Sequence, residues 1–321
     1  MSSLSIRVSI LAGICIAAGL AAMLLIHGYW AFKFAMLLVM ALSVRGLQLL
    51  IGGSGQVSLG HGAFFAVGAY VSGIAISQQW LPVYVTVPAA LAVCCLLGFL
   101  FGLPAVRLVG PYLALATFAL AIALPQLLKH PLLEPWTGGV SGLSLDPIEV
   151  PAWIPLHADQ WILLITALWV ALIYWVLYRL MQGPAGLAWH MLRDHPTAAA
   201  AAGVDVRKWK AGAFAVSAGA VGAAGALNTC LTNFVSPDSF TVFLSLSLLV
   251  GVAIAGPKSI MGTFVAAAFL SFVPDMAEKI SQEFTGVLYG LVMLAVVFIS
   301  PMLGRWRHRR ALISGDERQT Q

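Results

Sequence analysis

Long apolar stretches separated by short polar connections run through most of the chain. A helix needs about 20 apolar residues to cross the hydrocarbon core of a bilayer. The pattern predicts ten such spans, near residues 8–26, 32–50, 57–77, 82–102, 110–128, 161–180, 210–231, 240–256, 260–275 and 285–303. The ninth stretch is short, and we expect a half-span or an irregular helix there. The prediction is an all-α polytopic membrane protein with a single transmembrane domain over residues 1–321.

The composition agrees with this pattern. Hydrophobic residues make up 60% of the chain and charged residues 9%, against about 25% charged residues in a soluble domain. The four cysteines lie in apolar stretches without metal-ligand spacing, so we expect neither a disulfide framework nor a bound metal. The formal net charge of +5 is assigned to basic residues that orient the chain in the membrane, and it does not indicate nucleic-acid binding.

The basic residues predict how the chain is inserted, because cytoplasmic loops carry an excess of Lys and Arg. With the N-terminus inside, only Lys33, Lys129 and Lys279 fall on the outer side, which leaves 14 of the 17 basic residues inside. Both termini are therefore predicted to be cytoplasmic. In the basic tail, residues 305–321, RWRHRR is expected to anchor the chain against anionic membrane lipid, and DERQTQ is expected to be disordered.

The central feature of the sequence is the stretch GGSGQVSLGHGAFFAVGA, from Gly52 to Ala69. Glycine lets the backbone leave helical geometry. Non-helical backbone inside a membrane is tolerated only where protein covers it or where it lines a wet cavity. We therefore expect a broken helix that faces a permeation path, and the alternative is close helix packing through small residues. The spacing Gly55-x-x-Ser58 returns later as Gly256-x-x-Ser259.

Two long connections are expected to be ordered. The outer one, residues 129–160, has five prolines, two tryptophans and the glycine-rich TGGVSGLS, and we interpret it as a lid or a partner-docking loop. In the inner one, residues 181–210, Asp194 is expected to cap a short helix that has Pro196 in its first turn and Gly203 at its end. Such a helix is too short to persist alone. We expect it to dock into a groove of a partner protein, and the alternative is an interfacial helix on the lipid.

The sequence offers no energy source within the membrane. No Asp or Glu lies in the middle of a predicted span, where proton-driven carriers usually need a titratable group, and the chain lacks a phosphate-binding G-x-x-x-x-G-K-[ST] loop. A motor in a separate protein is therefore indicated. Ser58 and His61 lie three residues apart, but no acid nearby orients the histidine for hydrolase chemistry. We expect a transport subunit, not an enzyme, and no cofactor in this chain.

Five motifs occur in the order typical of one family: GQVSLGHGAFFAVGAY, GLPAVRLVGPYLALATFAL, TGGVSGLS, RDHPTAAAAAGVDVRKWKAGAFAVSAGAVGAAGAL and SPDSF. From about Gly46 to Pro301 the chain resembles the permease subunits of branched-chain amino-acid ABC importers, most closely the second permease of the pair, which has the longer outer loop. The resemblance implies a bacterial inner-membrane subunit that moves branched-chain or other small amino acids from periplasm to cytoplasm. Import of urea or short amides remains an alternative, as does a stand-alone facilitator or channel.

The resemblance also implies partners: a homologous permease, two cytoplasmic ATPases that bind ATP and magnesium, and a periplasmic binding protein. The inner connection is similar to the family's coupling loop, which implies ATPase contact by Arg193, Asp194, Ala198, Ala199, Ala200 and Gly203. Relatives often carry glutamate where Ala200 stands and a different turn where Pro257 stands, so those local contacts are expected to differ.

Five polar side chains within the predicted spans are available to a substrate: Gln56, Ser58, His61, Thr117 and Asn228. A zwitterion needs donors for its carboxylate and acceptors for its ammonium group. No acid within the spans pairs the ammonium, which favours loose passage with selectivity held by the binding protein. Interhelical hydrogen bonding is the competing role for each of these five residues.

Overall fold

The computed structural model describes residues 28–280, apart from 106–107, 109, 149 and 152–155, and in addition residues 290, 291 and 294. Within these residues seven helices are long and apolar enough to cross a membrane, and a shorter apolar helix accompanies them. The predicted all-α polytopic class is confirmed, whereas the count of ten spans and the position of the termini remain predictions. The predicted spans near 8–26 and 285–303 and the tail 305–321 lie outside the described residues.

The helices follow one another closely along the chain. In order they are α1 (Tyr29–Leu49), α2 (His61–Ser77), α3 (Val83–Ala105), α4 (Pro111–Leu128), α5 (Glu134–Thr137), α6 (Ala158–Gln182), α7 (Pro184–Asp194), α8 (Pro196–Ala201), α9 (Val206–Thr232), α10 (Val242–Ala255) and α11 (Ile260–Ile280). A π-helical turn, Leu50–Ser54, continues α1, and a 3₁₀ turn, Pro237–Ser239, precedes α10. Two short strands, β1 (Leu143–Ser144) and β2 (Phe234–Val235), pair antiparallel with Leu143 opposite Val235.

Helix α9 is the central element and packs against α1, α2 and α3. Its sequence is rich in Ala and Gly, and lipid-embedded helices associate through close contact of such small residues. A Cβ atom on Gly225 would lie 2.0 Å from the carbonyl oxygen of Phe65, and one on Gly68 would lie 1.9 Å from that of Gly222. Only glycine therefore fits at these crossings between α2 and α9.

Eight predicted spans correspond to described helices, with two corrections. The third begins at His61, not near residue 57, because the glycine-rich segment before it is not helical. The expected half-span or irregular helix over 260–275 is wrong, since α11 is one continuous helix of 21 residues. Charged residues near the end of α11 interrupt the apolar sequence, but the helix continues through them. One of them, Asp275, forms an ion pair with Lys33 of α1.

The outer connection has regular structure where it is described. The Thr137 hydroxyl donates to the carbonyl oxygen of Leu128 (2.8 Å), which ties α5 to the end of α4. Further along, β1 pairs with β2, and Lys129 forms an ion pair with Asp238. These contacts hold the connection against the end of α9. Its role as a lid or a docking loop stays a prediction.

The close crossing of α2 and α9 can be tested with one methyl group. Gly225→Ala is expected to destabilise the protein by about 1–3 kcal/mol, because the added Cβ forces the two backbones apart. Gly212→Ala in the same helix is the control, since nothing lies within 4 Å of a Cβ there and alanine favours helix. Thermal unfolding in detergent measures both variants. Equal stability of the two would contradict close packing at Gly225.

Candidate functional site

The chain leaves α-helical geometry between α1 and α2, as the glycine-rich stretch predicts. After the π-helical turn Leu50–Ser54, Gly55 adopts a left-handed conformation with φ of 71°, and α2 begins at His61. Most of this segment is buried, and a Cβ on Gly52 would lie 2.0 Å from the carbonyl oxygen of Pro257. The broken helix is confirmed, and protein covers it. That it faces a permeation path remains a prediction.

The loop between α10 and α11 repeats the arrangement of the break. Gly256 ends α10 with φ of 75°, and Ser259 accepts a hydrogen bond from the N–H of Gly262 (2.9 Å). In the break, Ser58 likewise accepts from the N–H of Gly60 (3.3 Å). The two segments with matching sequence spacing therefore share a glycine that leaves the helix and a serine that receives a backbone N–H.

A chain of hydrogen bonds runs through the imidazole of His61, which is fully buried. Nδ1 lies 2.9 Å from Ser58 Oγ and Nε2 lies 2.7 Å from Ser217 Oγ. The Ser217 hydroxyl donates to the carbonyl oxygen of Gly46 (2.7 Å). A hydroxyl has one proton to donate, so Ser217 accepts from Nε2–H, while Nδ1 is paired with the hydroxyl of Ser58. These contacts join α1, α2 and α9 through the imidazole.

Two further hydroxyls pair backbone groups at the break. The N–H of Leu59 donates to Thr117 Oγ1 on α4 (2.9 Å), and the N–H of Gly62 donates to Ser245 Oγ on α10 (2.9 Å). Three predicted pathway residues, Ser58, His61 and Thr117, thus form one polar cluster with no exposed surface. In this conformation their polar atoms form hydrogen bonds within the protein. This is the interhelical hydrogen bonding that the sequence offers as the alternative to substrate contact.

The remaining two predicted pathway residues line separate cavities. Gln56 lines a cavity of about 440 Å³ that also includes Val57, Leu113 and Lys210. The Gln56 amide donates to the carbonyl oxygen of Lys210 (3.1 Å), while its Oε1 is buried without a partner among the described residues. Asn228 lines a second cavity of about 280 Å³ together with Met36, Phe65 and Phe240.

The polar cluster lies between these two cavities. Along α9 the order is Lys210 at the first cavity, Ser217 at the cluster and Asn228 at the second cavity. The structure therefore does not bring all five predicted pathway residues into one site. It brings three of them together and places one on each side.

The inner connection contains one more helix than the sequence predicts. The indole Nε1 of Trp189, on α7, donates to the carbonyl oxygen of Trp209 (2.9 Å) and fixes α7 against α9. The guanidinium of Arg193, at the end of the same helix, donates to the carbonyl oxygen of Gly52 (2.6 Å). The inner connection thus contacts the π-helical turn at the break directly.

The start of α8 differs from the prediction. Asp194 is not its cap, because it is the last residue of α7 and is helical itself. His195 holds the cap position without a side-chain hydrogen bond, and Pro196 opens α8 as expected. The capping carboxylate of this connection is Asp205 at the start of α9, which accepts from the N–H of Lys208 (3.1 Å). That hydrogen bond lowers the pKa of Asp205 below its usual value.

The end of α8 follows the prediction. Gly203, with φ of 86°, donates to the carbonyl oxygen of Ala200, and Val204 donates to that of Ala199 (3.0 Å each). This pair of bonds is a Schellman motif, which suits glycine. Ala199 is buried, whereas Ala198 and Ala200 are exposed. Their predicted contact with an ATPase remains a prediction.

Sequence reasoning missed two functional candidates beside the break. The sequence identifies Arg45 only as a charge that orients the chain in the membrane. In the structure Arg45 lies within α1, is 7% exposed and donates a hydrogen bond to Gln48 Oε1. Gln48 in turn donates to the carbonyl oxygens of Gly256 (2.6 Å) and Ser259 (3.0 Å), which joins α1 to the loop between α10 and α11. The available signal was a charged residue and an amide three positions apart in an otherwise apolar span.

A family model described as "Branched-chain amino acid transport system / permease component" matches residues 26–297. The chain belongs to this family. Two relatives, from Escherichia coli (strain K12) and Salmonella typhimurium (strain LT2), are named "High-affinity branched-chain amino acid transport system permease protein LivM". Each is 30% identical over 276 residues, which cover 79% of this chain and 64% of the relative. The chain thus spans a little under two-thirds of their length. No solved structure matches it.

Membership of this family places the chain among the permease components of transport systems. Together with the seven apolar helices, it makes the chain a multi-pass protein of the bacterial inner membrane.

The hydrogen-bond chain through His61 can be tested at Ser217. Ser217→Ala is expected to destabilise the protein by about 1–2 kcal/mol, because it leaves the buried Nε2–H of His61 without an acceptor. Ser77→Ala is the control, since that hydroxyl is exposed and donates only to the carbonyl oxygen of Ile74. Thermal unfolding in detergent compares the two. The hydrogen-bond chain would be refuted by a Ser217 variant as stable as the Ser77 variant.

Proposed function

We propose that this chain is the membrane-spanning permease subunit of an ATP-binding cassette importer that moves branched-chain or other small amino acids from the periplasm to the cytoplasm. The observation that carries the proposal is the family match over residues 26–297. The names of the two relatives support the substrate class.

The partners follow from the same proposal. A homologous permease would complete the membrane path, a periplasmic binding protein would deliver the substrate, and two cytoplasmic ATPases would bind ATP with magnesium. The predicted excess of basic residues on one side supports a cytoplasmic position for both termini and for the inner connection. The ATPases would then meet α7 and α8.

A mechanical link from the inner connection to the membrane path supports this assignment. Arg193 on α7 holds the carbonyl oxygen of Gly52, and the break continues from Gly52 to the buried cluster around His61. Movement of α7 therefore acts on the break without an intervening flexible segment. A population shift between two packings of the break would open the cluster toward the cavity at Gln56 or toward the cavity at Asn228.

Uptake into proteoliposomes tests the proposal. The chain is reconstituted with its partner permease, ATPases and binding protein, and offered leucine, isoleucine, valine, other small amino acids, urea and short amides. We expect saturable uptake of branched-chain amino acids that needs hydrolysable ATP. Full-rate uptake by the chain alone would make it a facilitator, and uptake of urea or amides in place of amino acids would reassign the substrate.

Arg193 provides a sharper test of coupling. Arg193→Ala is expected to lower ATP-driven uptake at least about tenfold, because a charge-assisted hydrogen bond between α7 and the break is lost. ATP hydrolysis by the assembled transporter is expected to continue. The control is Arg207→Ala, an exposed arginine on the same connection. Unchanged uptake, or an equal loss in both variants, would contradict a coupling role for Arg193.

A further inference from the structure

A third cavity, of about 230 Å³, lies between the inner ends of several helices. Side chains from α1, α6 and α7 and from the loop after α10 line it, among them Arg45, Gln48, Tyr178, Gln182, His190 and Lys258. Two of these side chains carry a fixed positive charge. None of the described residues that line this cavity is an Asp or a Glu. The cavity is therefore a basic pocket between transmembrane helices, with α7 and the loop after α10 at its edge.

Arg45 is the least satisfied group in this pocket. Its side chain is 7% exposed, Nη1 donates to the neutral amide oxygen of Gln48, and Nε is buried without a partner among the described residues. None of the ion pairs between described residues includes Arg45. Burial of a charge is costly unless an opposite charge or several hydrogen bonds compensate it. An anion in the cavity would supply both.

The surroundings place the pocket at the level of lipid headgroups. On α6, the guanidinium of Arg179 lies 5.8 Å from the ring centre of Trp175, and Tyr178 is 46% exposed while lining the pocket. Aromatic and basic residues concentrate at the membrane–water interface. The pocket is thus within reach of the headgroup layer on the side predicted to be cytoplasmic.

We propose that this cavity is a binding site for a phosphate group, with Arg45 as its main ligand. The planar guanidinium suits two oxygens of one phosphate, and Lys258 and His190 add a charge and a donor at the rim. Basic pockets between transmembrane helices on the cytoplasmic side are typical sites for anionic lipid headgroups. The phosphate comes from an inner-leaflet phospholipid or from a free phosphate ion, and the two sources share this chemistry.

Occupancy would affect the parts that move. The pocket includes α7 through His190, and the loop after α10 through Lys258. A phosphate held there would bridge the inner connection to the loop after α10, beside Gly52 and Gly53 of the break, and would strengthen the contact of Arg193 with Gly52.

Thermal unfolding of the full-length, delipidated chain in detergent tests the site. Phosphatidylglycerol in mixed micelles, inorganic phosphate and leucine are titrated separately. Arg45→Gln is expected to raise the ligand concentration needed for half-maximal stabilisation at least about tenfold. Lys258→Gln, at an exposed position where folding is expected to stay intact, is expected to raise the ligand concentration for half-maximal stabilisation several-fold. Arg207→Gln, an exposed arginine outside the pocket, is the control and is expected to respond like the unaltered chain.

The outcomes separate the sources. Stabilisation by phosphatidylglycerol but not by millimolar phosphate identifies the lipid headgroup as the source of the bound phosphate. Equal stabilisation by inorganic phosphate identifies the free ion as the source. The proposal is overturned if neither compound stabilises the chain, if Arg45→Gln and Lys258→Gln respond as the unaltered chain does, or if leucine alone gives a response that depends on Arg45.

Discussion

A helix that stops inside a membrane leaves backbone groups that water cannot reach, and this constraint governs the centre of the molecule. The protein meets it with side chains from other helices. The hydroxyls of Thr117 and Ser245 receive the N–H groups of Leu59 and Gly62, while Arg193 donates to a carbonyl oxygen of the π-helical turn. The break between α1 and α2 is therefore held by α4, α7 and α10 together, and a change in any of them alters it.

Helix α9 provides the surface on which the break is packed. Its glycines bring α2 within backbone contact, and its Ser217 closes the hydrogen-bond chain through His61. Cavities lie beside Lys210 and Asn228, on either side of that cluster along α9. A polar cluster between two cavities suits the two-state movement proposed above, and the inner connection contacts the break at Gly52, which precedes that cluster.

Much of the fold could be predicted, because the length of an apolar run and the position of a glycine determine local backbone structure. The spans follow from runs of apolar residues, the break from the glycines around Gly55, and the end of α8 from Gly203. The failures come from tertiary contacts. The sequence predicts Asp194 as the cap of α8, whereas it ends α7, a helix stabilised by the contact of Trp189 with α9 that no local pattern reveals. The sequence identifies the polar residues of the cluster but not their hydrogen-bond partners. Ser217 and Ser245 lie far along the chain, and nothing in the sequence distinguishes them from other serines.

The proposed function depends on the inner connection and the break moving as one unit against the outer half of the protein. Spin labels at Ala200 and Val57, and at Val57 and Val140, in an otherwise cysteine-free chain, allow distance measurements in the assembled transporter with and without trapped ATP. All three positions are exposed. We expect a constant distance between Ala200 and Val57 and a changed distance between Val57 and Val140. A changed first distance with a constant second one would contradict the account.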